Sequence, residues 1–202
     1  MDEQAFLDDR RRALKESIAY FSGANKSARE QWVCISLLKA LQIEFSETEV
    51  RASPSDPPDV LFRTAQFEVK EIQEPDRRRH AEYKEALKTA IAATRAEEVI
   101  EHFERRDITP AEIGFLVVDK LSELAVKYPD AVKGQNDLLL YVNLDDKYFK
   151  AGPVPSAARF AKFGWRSVTV FENEVAIVLQ VGDDAPEFLH VYEGKVEKRF
   201  RS

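Results

Sequence analysis

The residues best suited to chemistry are Asp59, Glu68 and Lys70, within residues 58–72. Two short runs there, Val60-Leu61-Phe62 and Phe67-Glu68-Val69-Lys70, are rich in aromatic and β-branched residues and are separated by the polar residues 63–66. That pattern predicts a hairpin. Strand side chains alternate faces, so Phe67 and Val69 point one way and Glu68 and Lys70 the other. Asp59 stands at the start of the partner strand, and side chains opposed across an antiparallel pair lie close enough to share one small ion. Carboxylate oxygens with a nearby backbone carbonyl form a hard-oxygen site suited to Mg²⁺ or Mn²⁺. Such an ion activates water and stabilises charge on a phosphoryl group. A lysine beside it can orient that water or neutralise the developing anion.

Pro58-Asp59 followed by Glu68-Val69-Lys70 resembles the signature of the PD-(D/E)XK nuclease superfamily, with its restriction-endonuclease-like fold. The chain also resembles a small bacterial family of proteins labelled as endonucleases. The resemblance implies that Asp59 and Glu68 hold a divalent metal, with the Val69 carbonyl as a third ligand. It also implies that Lys70 assists the attacking water, and that an acidic residue on the preceding helix stands near the metal. Glu30 is the acidic residue inside that helix. Ser27 and Glu30 also form a capping-box pattern, which explains Glu30 equally well. Glu82-Tyr83-Lys84, Asp145-Asp146-Lys147 and Glu193-Gly194-Lys195 repeat the acid-any-lysine triplet, but only Glu68-Val69-Lys70 sits in a strand-like run behind Pro-Asp.

The elements that must position these groups are legible as follows. Residues 4–22 and 27–42 carry helical apolar spacing, residues 43–52 suggest a first strand, and residues 53–58 form a proline-rich loop leading into Asp59. A long helix is expected over residues 77–105, opened by Arg77, Arg78 and Arg79. Cations at a helix N-terminus oppose the macrodipole, so this cluster is a candidate nucleic-acid contact, extended by Lys84; pairing with Glu74, Asp76 and Glu82 is the alternative. Thr109-Pro110-Ala111-Glu112 opens a helix to about residue 127, and residues 138–144 read as a buried strand. Basic and aromatic residues interleave over 159–166, a mixture that suits either base stacking or packing on a sheet. Residues 167–200 read as an antiparallel meander, with strands over 168–171, 175–181, 188–192 and 196–200. The expectation is one α/β (α+β) domain over residues 1–202. Its order would be helix, three strands, helices and strand within residues 25–144, with the β meander over 165–200 appended.

Composition sets limits. The chain has 202 residues, 44% hydrophobic and 33% charged, which is enough for a sizeable core. A net charge of −6 argues against a wholly basic binding surface but leaves room for a local one. No apolar run approaches membrane-spanning length, and the acidic start Met1-Asp2-Glu3-Gln4 lacks the pattern of a signal peptide. Cys34 is the single cysteine, which favours a reducing cytoplasm. The sequence therefore predicts a cytoplasmic Mg²⁺- or Mn²⁺-dependent nuclease acting on nucleic acid, most simply DNA. Its alternative is a catalytically inactive interaction module, homodimeric through the meander. As a solvated strand residue, Lys70 would cost about 1 kcal/mol or less on truncation to alanine.

Overall fold

The computed structural model describes residues 2–74, 79–100, 106–144 and 147–198, with the side chains of residues 79 and 80 left out. Helices α1 (Glu3–Tyr20) and α2 (Lys26–Ala40) come first. Strands β1 (Arg51–Ala52), β2 (Val60–Phe62) and β3 (Ala65–Ile72) follow, then α3 (Arg79–Ala92) and β4 (Arg106–Ile108). Next are α4 (Pro110–Lys127), the short α5 (Asp130–Lys133), β5 (Asp137–Val142), β6 (Lys147–Phe149) and the short α6 (Ala158–Ala161). The chain closes with β7 (Ser167–Glu172), β8 (Val175–Val181), the short α7 (Glu187–His190) and β9 (Val196–Lys198). These elements form two compact units, Met1–Lys26 with Glu74–Glu104, and Ser27–Gln73 with Arg105–Ser202.

The smaller unit packs α1 on α3 around Leu7, Leu14, Ala90, Ala93 and Val99. Arg11 donates to the Ala90 and Ala93 carbonyls (2.8 and 3.2 Å) at the C-terminal end of α3. Those carbonyls lack helical partners and carry the negative end of the macrodipole, so a guanidinium is well matched to them. The long helix expected over 77–105 stops at Ala92. There the Glu98 carboxylate takes the Thr94 N–H (3.3 Å) and Arg95 turns extended (φ −128°, ψ 146°). A 3₁₀ turn, Ala96–Val99, follows, and residues 77, 78 and 101–105 of the expected helix lie outside the described residues.

The larger unit is built on a seven-stranded sheet ordered β1-β2-β3-β5-β7-β8-β9. β1-β2-β3 and β7-β8-β9 are antiparallel, and β3-β5-β7 are parallel. The mixed α/β class therefore holds, but the expected run of helices before β5 is interrupted by β4, which pairs with β6 in a separate two-stranded sheet. The C-terminal strands extend the main sheet. Parallel strands covered on both faces read as unbroken apolar runs, which is why 138–144 was legible. One sheet face packs Phe67, Val69 and Leu139 with Val33, Leu37 and Leu38 of α2. The other packs Leu138, Leu140, Val168 and Val170 with Ile113, Val117 and Leu121 of α4. Thr109 and Glu112 cap α4 as expected, with Pro110 at its start.

The central strands are tied together where β5 begins. Asp137 is fully buried, and its carboxylate accepts from Gln66 N–H (3.0 Å), Ser167 Oγ (2.8 Å) and both Nε (3.1 Å) and Nη2 of Arg166. Arg166 Nη2 also reaches the Thr64 carbonyl (3.1 Å). One satisfied carboxylate thus pins β3, β5, β7 and the hairpin turn in register.

Three expectations change here. Over residues 43–52, Ser46 and Glu49 form a capping box on a 3₁₀ turn, Glu47–Glu49, and leave a strand of only two residues. Residues 188–192 are not a strand, because Pro186 and Glu187 start α7 instead. α2 begins at Lys26, so Ser27 lies inside the first turn rather than ahead of it.

Glu172, buried at the end of β7, has its carboxyl pushed up to about 7 by burial. A folded-state value above the unfolded one means that the native state holds the extra proton. Stability from this group therefore rises as pH falls through about 7, and levels off below the ordinary carboxylate range. Glu172→Gln should remove that rise and be more stable than wild type at pH 8 by about 1 kcal/mol, measured by urea melts across pH. Parallel pH profiles for the two proteins would contradict the assignment.

Candidate metal and catalytic site

β2 begins at Val60, paired with Phe67, so among the described residues β3 has no ladder partner on that side past Phe67. Asp59 fills the gap. Its backbone is held by Asp59 N–H to the Phe67 carbonyl (3.0 Å) and by Ser53 N–H to the Asp59 carbonyl (2.9 Å). Its Oδ2 accepts the Val69 N–H (3.0 Å) that a strand would have taken. The hairpin expected from the sequence therefore does bring Asp59 to Glu68 and Lys70.

Glu68 lies opposite Leu138, on the α4 face, with none of its surface exposed. Its Oε1 accepts from the Tyr128 hydroxyl (2.5 Å) and pairs with Lys70 Nζ. Its Oε2 is buried without a hydrogen-bond partner. Tyr128 caps the C-terminal end of α4 and packs edge-on against buried Trp165 (centroids 5.4 Å apart). Lys70 Nζ also contacts Asp59 Oδ2 (3.3 Å) and the Val69 carbonyl (3.0 Å). One ammonium therefore touches the three groups that the resemblance assigns to a metal.

Electrostatics follow from this packing. Burial, the largest single influence on Lys70, lowers its pKa, but hydrogen bonding and attraction to Glu68 and Asp59 together outweigh it and raise the net value. Lys70 is accordingly a cationic donor rather than a base. Burial first, then the Glu68 hydrogen bond and the neighbouring carboxylates, push Tyr128 well above the ordinary phenol range, so its hydroxyl stays protonated and donating.

Asp56, in the proline-rich loop, completes the cluster. One carboxylate oxygen from each of Asp56, Asp59 and Glu68 lies within 4.8 Å of the others, so the three could hold a metal ion. The donor set fits a hard divalent cation: all ligands are oxygen, and one buried carboxylate oxygen lacks a partner.

The other candidates fall as follows. Glu30 is half-buried on α2 and is not one of the three converging carboxylates. Arg77 and Arg78 lie outside the described residues. Arg79 opens α3, and Lys84 is exposed on it, in the smaller unit. In the 159–166 segment, Phe160 and Trp165 are buried and Arg159 stacks on Phe115 (4.2 Å), so sheet packing accounts for this mixture. Cys34 is buried and its thiol is pushed up by burial, an inert core position. Among the described residues no helix is long and apolar enough to cross a membrane.

Sequence reasoning missed Asp56 and Tyr128. Asp56 had a signal, a second acid in the loop that delivers Asp59. Tyr128 had none, because it reaches Glu68 only through the packing of α4 on the sheet. The expectation for Lys70 also changes. Its side chain is only 18% exposed and is the counter-charge to fully buried Glu68. Lys70→Ala should therefore destabilise by about 3 kcal/mol, far above a surface substitution. A loss under 1 kcal/mol in urea melts would show that Glu68 is compensated by other means.

A mixed sheet that sets Glu68 and Lys70 of β3 beside Asp59 and Asp56 of the preceding loop defines a protein with three converging carboxylates that could hold a metal ion. The chain belongs to the family described as "Putative endonuclease, protein of unknown function (DUF1780)", whose model matches residues 2–200. A solved structure from Pseudomonas aeruginosa strain PAO1, described as a protein of unknown function of the monooxygenase superfamily, is similar. It is 27% identical with a TM-score of 0.68, and the match covers 100% of this chain and 98% of that one. No curated protein matches the chain.

Proposed function

We propose that this protein is a metal-dependent endonuclease that hydrolyses phosphodiester bonds of nucleic acid at the Asp56, Asp59, Glu68 and Lys70 cluster. The observation that carries the reading is the buried Glu68 carboxylate, one oxygen unpartnered, beside Asp59 and Lys70. The family description supports the same reaction class. The related structure's description points toward oxygen chemistry, but the donors here are carboxylates and a carbonyl, which suit Mg²⁺ or Mn²⁺ rather than an oxygen-activating metal.

Asp59 and Glu68 would hold the metal, joined by Asp56 and the Val69 carbonyl. A divalent ion held there supplies an activated water and offsets phosphoryl charge. Tyr128 positions Glu68 by fixing its Oε1, as outer hydrogen bonds orient metal ligands elsewhere. The Asp59 hydrogen bond to Val69 N–H fixes the second carboxylate. The Lys70 ammonium, already between the carboxylates, donates to the attacking water or to the charged phosphoryl oxygens.

Circular substrates separate cutting within a strand from trimming at ends. Circular single-stranded and duplex DNA, and circular RNA, should be incubated with protein and Mn²⁺ and resolved by electrophoresis. At least one should be linearised, with the activity abolished by chelator and reduced at least a hundredfold in Glu68→Gln. Equal cutting by Glu68→Gln, or no cutting of any circle by wild type, would overturn the assignment.

A further inference from the structure

Beside the hairpin lies a second feature that the carboxylate chemistry does not use. A cavity of about 390 Å³ is lined by Arg51 and Arg63, by the hydroxyl residues Ser53, Ser55 and Thr64, and by Gln66, among others. None of the described residues lining it is acidic, although the chain as a whole carries a net charge of −6. Arg51 is exposed and has no ion-pair partner among the described residues. Arg63 is held in place. Its Nε meets Glu49 (3.2 Å), its Nη2 meets the Glu44 carbonyl (2.7 Å), and its guanidinium lies over the Phe62 ring (4.8 Å). Its backbone is left-handed (φ 50°), an uncommon conformation for a residue other than glycine.

The sheet relates this cavity to the carboxylates. Arg51 pairs with Leu61, and Leu61 with Gln66, so these three share one face. Gln66, Glu68 and Lys70 alternate along β3, which places Glu68 and Lys70 on that same face. Gln66 and Glu68 are about 7 Å apart along the strand. The loop over residues 53–58 is also shared: Ser53 and Ser55 line the cavity, and Asp56 joins the carboxylates. The Arg51 guanidinium and the hydroxyl donors suit the oxygens of a phosphodiester, whereas Arg63 already meets the Glu49 carboxylate and adds charge at the rim.

We propose that the cavity between Arg51 and Arg63 receives a backbone phosphate of the nucleic-acid strand whose neighbouring phosphate reaches the carboxylate cluster. The inference rests on the nuclease reading, and it makes this hairpin edge the path of the bound strand. Contact through phosphate positions the strand without reading its bases.

The test is fluorescence anisotropy with labelled single-stranded and duplex oligonucleotides of mixed sequence, in Ca²⁺, across a salt series. Arg51→Glu should bind about tenfold more weakly than wild type at low salt, with a shallower dependence of log affinity on log salt, by about one unit. Lys198→Glu, which changes net charge equally on an exposed residue of β9, should bind as wild type does. Arg51→Ala should lose less in the same direction, and its thermal midpoint should match wild type. Equal affinity in wild type and Arg51→Glu, or equal loss in Arg51→Glu and Lys198→Glu, would overturn this cavity while leaving the nuclease reading intact. Wild type that binds neither oligonucleotide would remove both.

Discussion

A fully buried carboxylate on an interior strand of a seven-stranded sheet is the constraint on which the site depends. Removing Glu68 from water costs several kcal/mol unless charge and hydrogen bonds compensate it. Lys70 supplies the charge and Tyr128 a hydrogen bond, both on Oε1. Compensation is incomplete, because Oε2 has no partner. A purely structural ion pair would be expected to satisfy both oxygens. A group that leaves one buried oxygen unmet beside two more carboxylates and a carbonyl is better matched to binding a cation than to stability.

That arrangement requires strict register. A slip of one residue would turn Glu68 and Lys70 onto the α2 face and Phe67 and Val69 onto the other. The Asp137 carboxylate, shared among Gln66, Arg166 and Ser167, prevents such a slip at the start of the parallel strands. The early end of β2 matters as much. Had its pairing run past Phe67, the Val69 N–H and carbonyl would belong to a ladder rather than to Asp59 and Lys70. A strand that stops short thus leaves backbone groups of a central strand available for chemistry.

What was legible in the sequence was local. The hairpin that brings Asp59 to Glu68 and Lys70, the Thr109–Glu112 cap and the apolar run of β5 each depend on near neighbours, and each forms as expected. The misread segments failed through competition between local signals. Ser46 and Glu49 diverted a strand-like stretch into a 3₁₀ turn, Glu98 ended α3 by capturing the Thr94 N–H, and Pro186 made a helix of apolar residues. Tyr128 over Glu68 and the burial of Lys70 depend on α4 lying across the sheet, which no short pattern encodes.

The most direct measurement is calorimetric titration of Mn²⁺ into wild type and into Asp59→Asn, a near-isosteric change that keeps the Val69 N–H bonded. Saturable binding in wild type, weakened at least tenfold in the variant, is the predicted result. Equal binding in both proteins, or none in wild type, would contradict a metal site at Asp59 and Glu68 and with it the catalytic account.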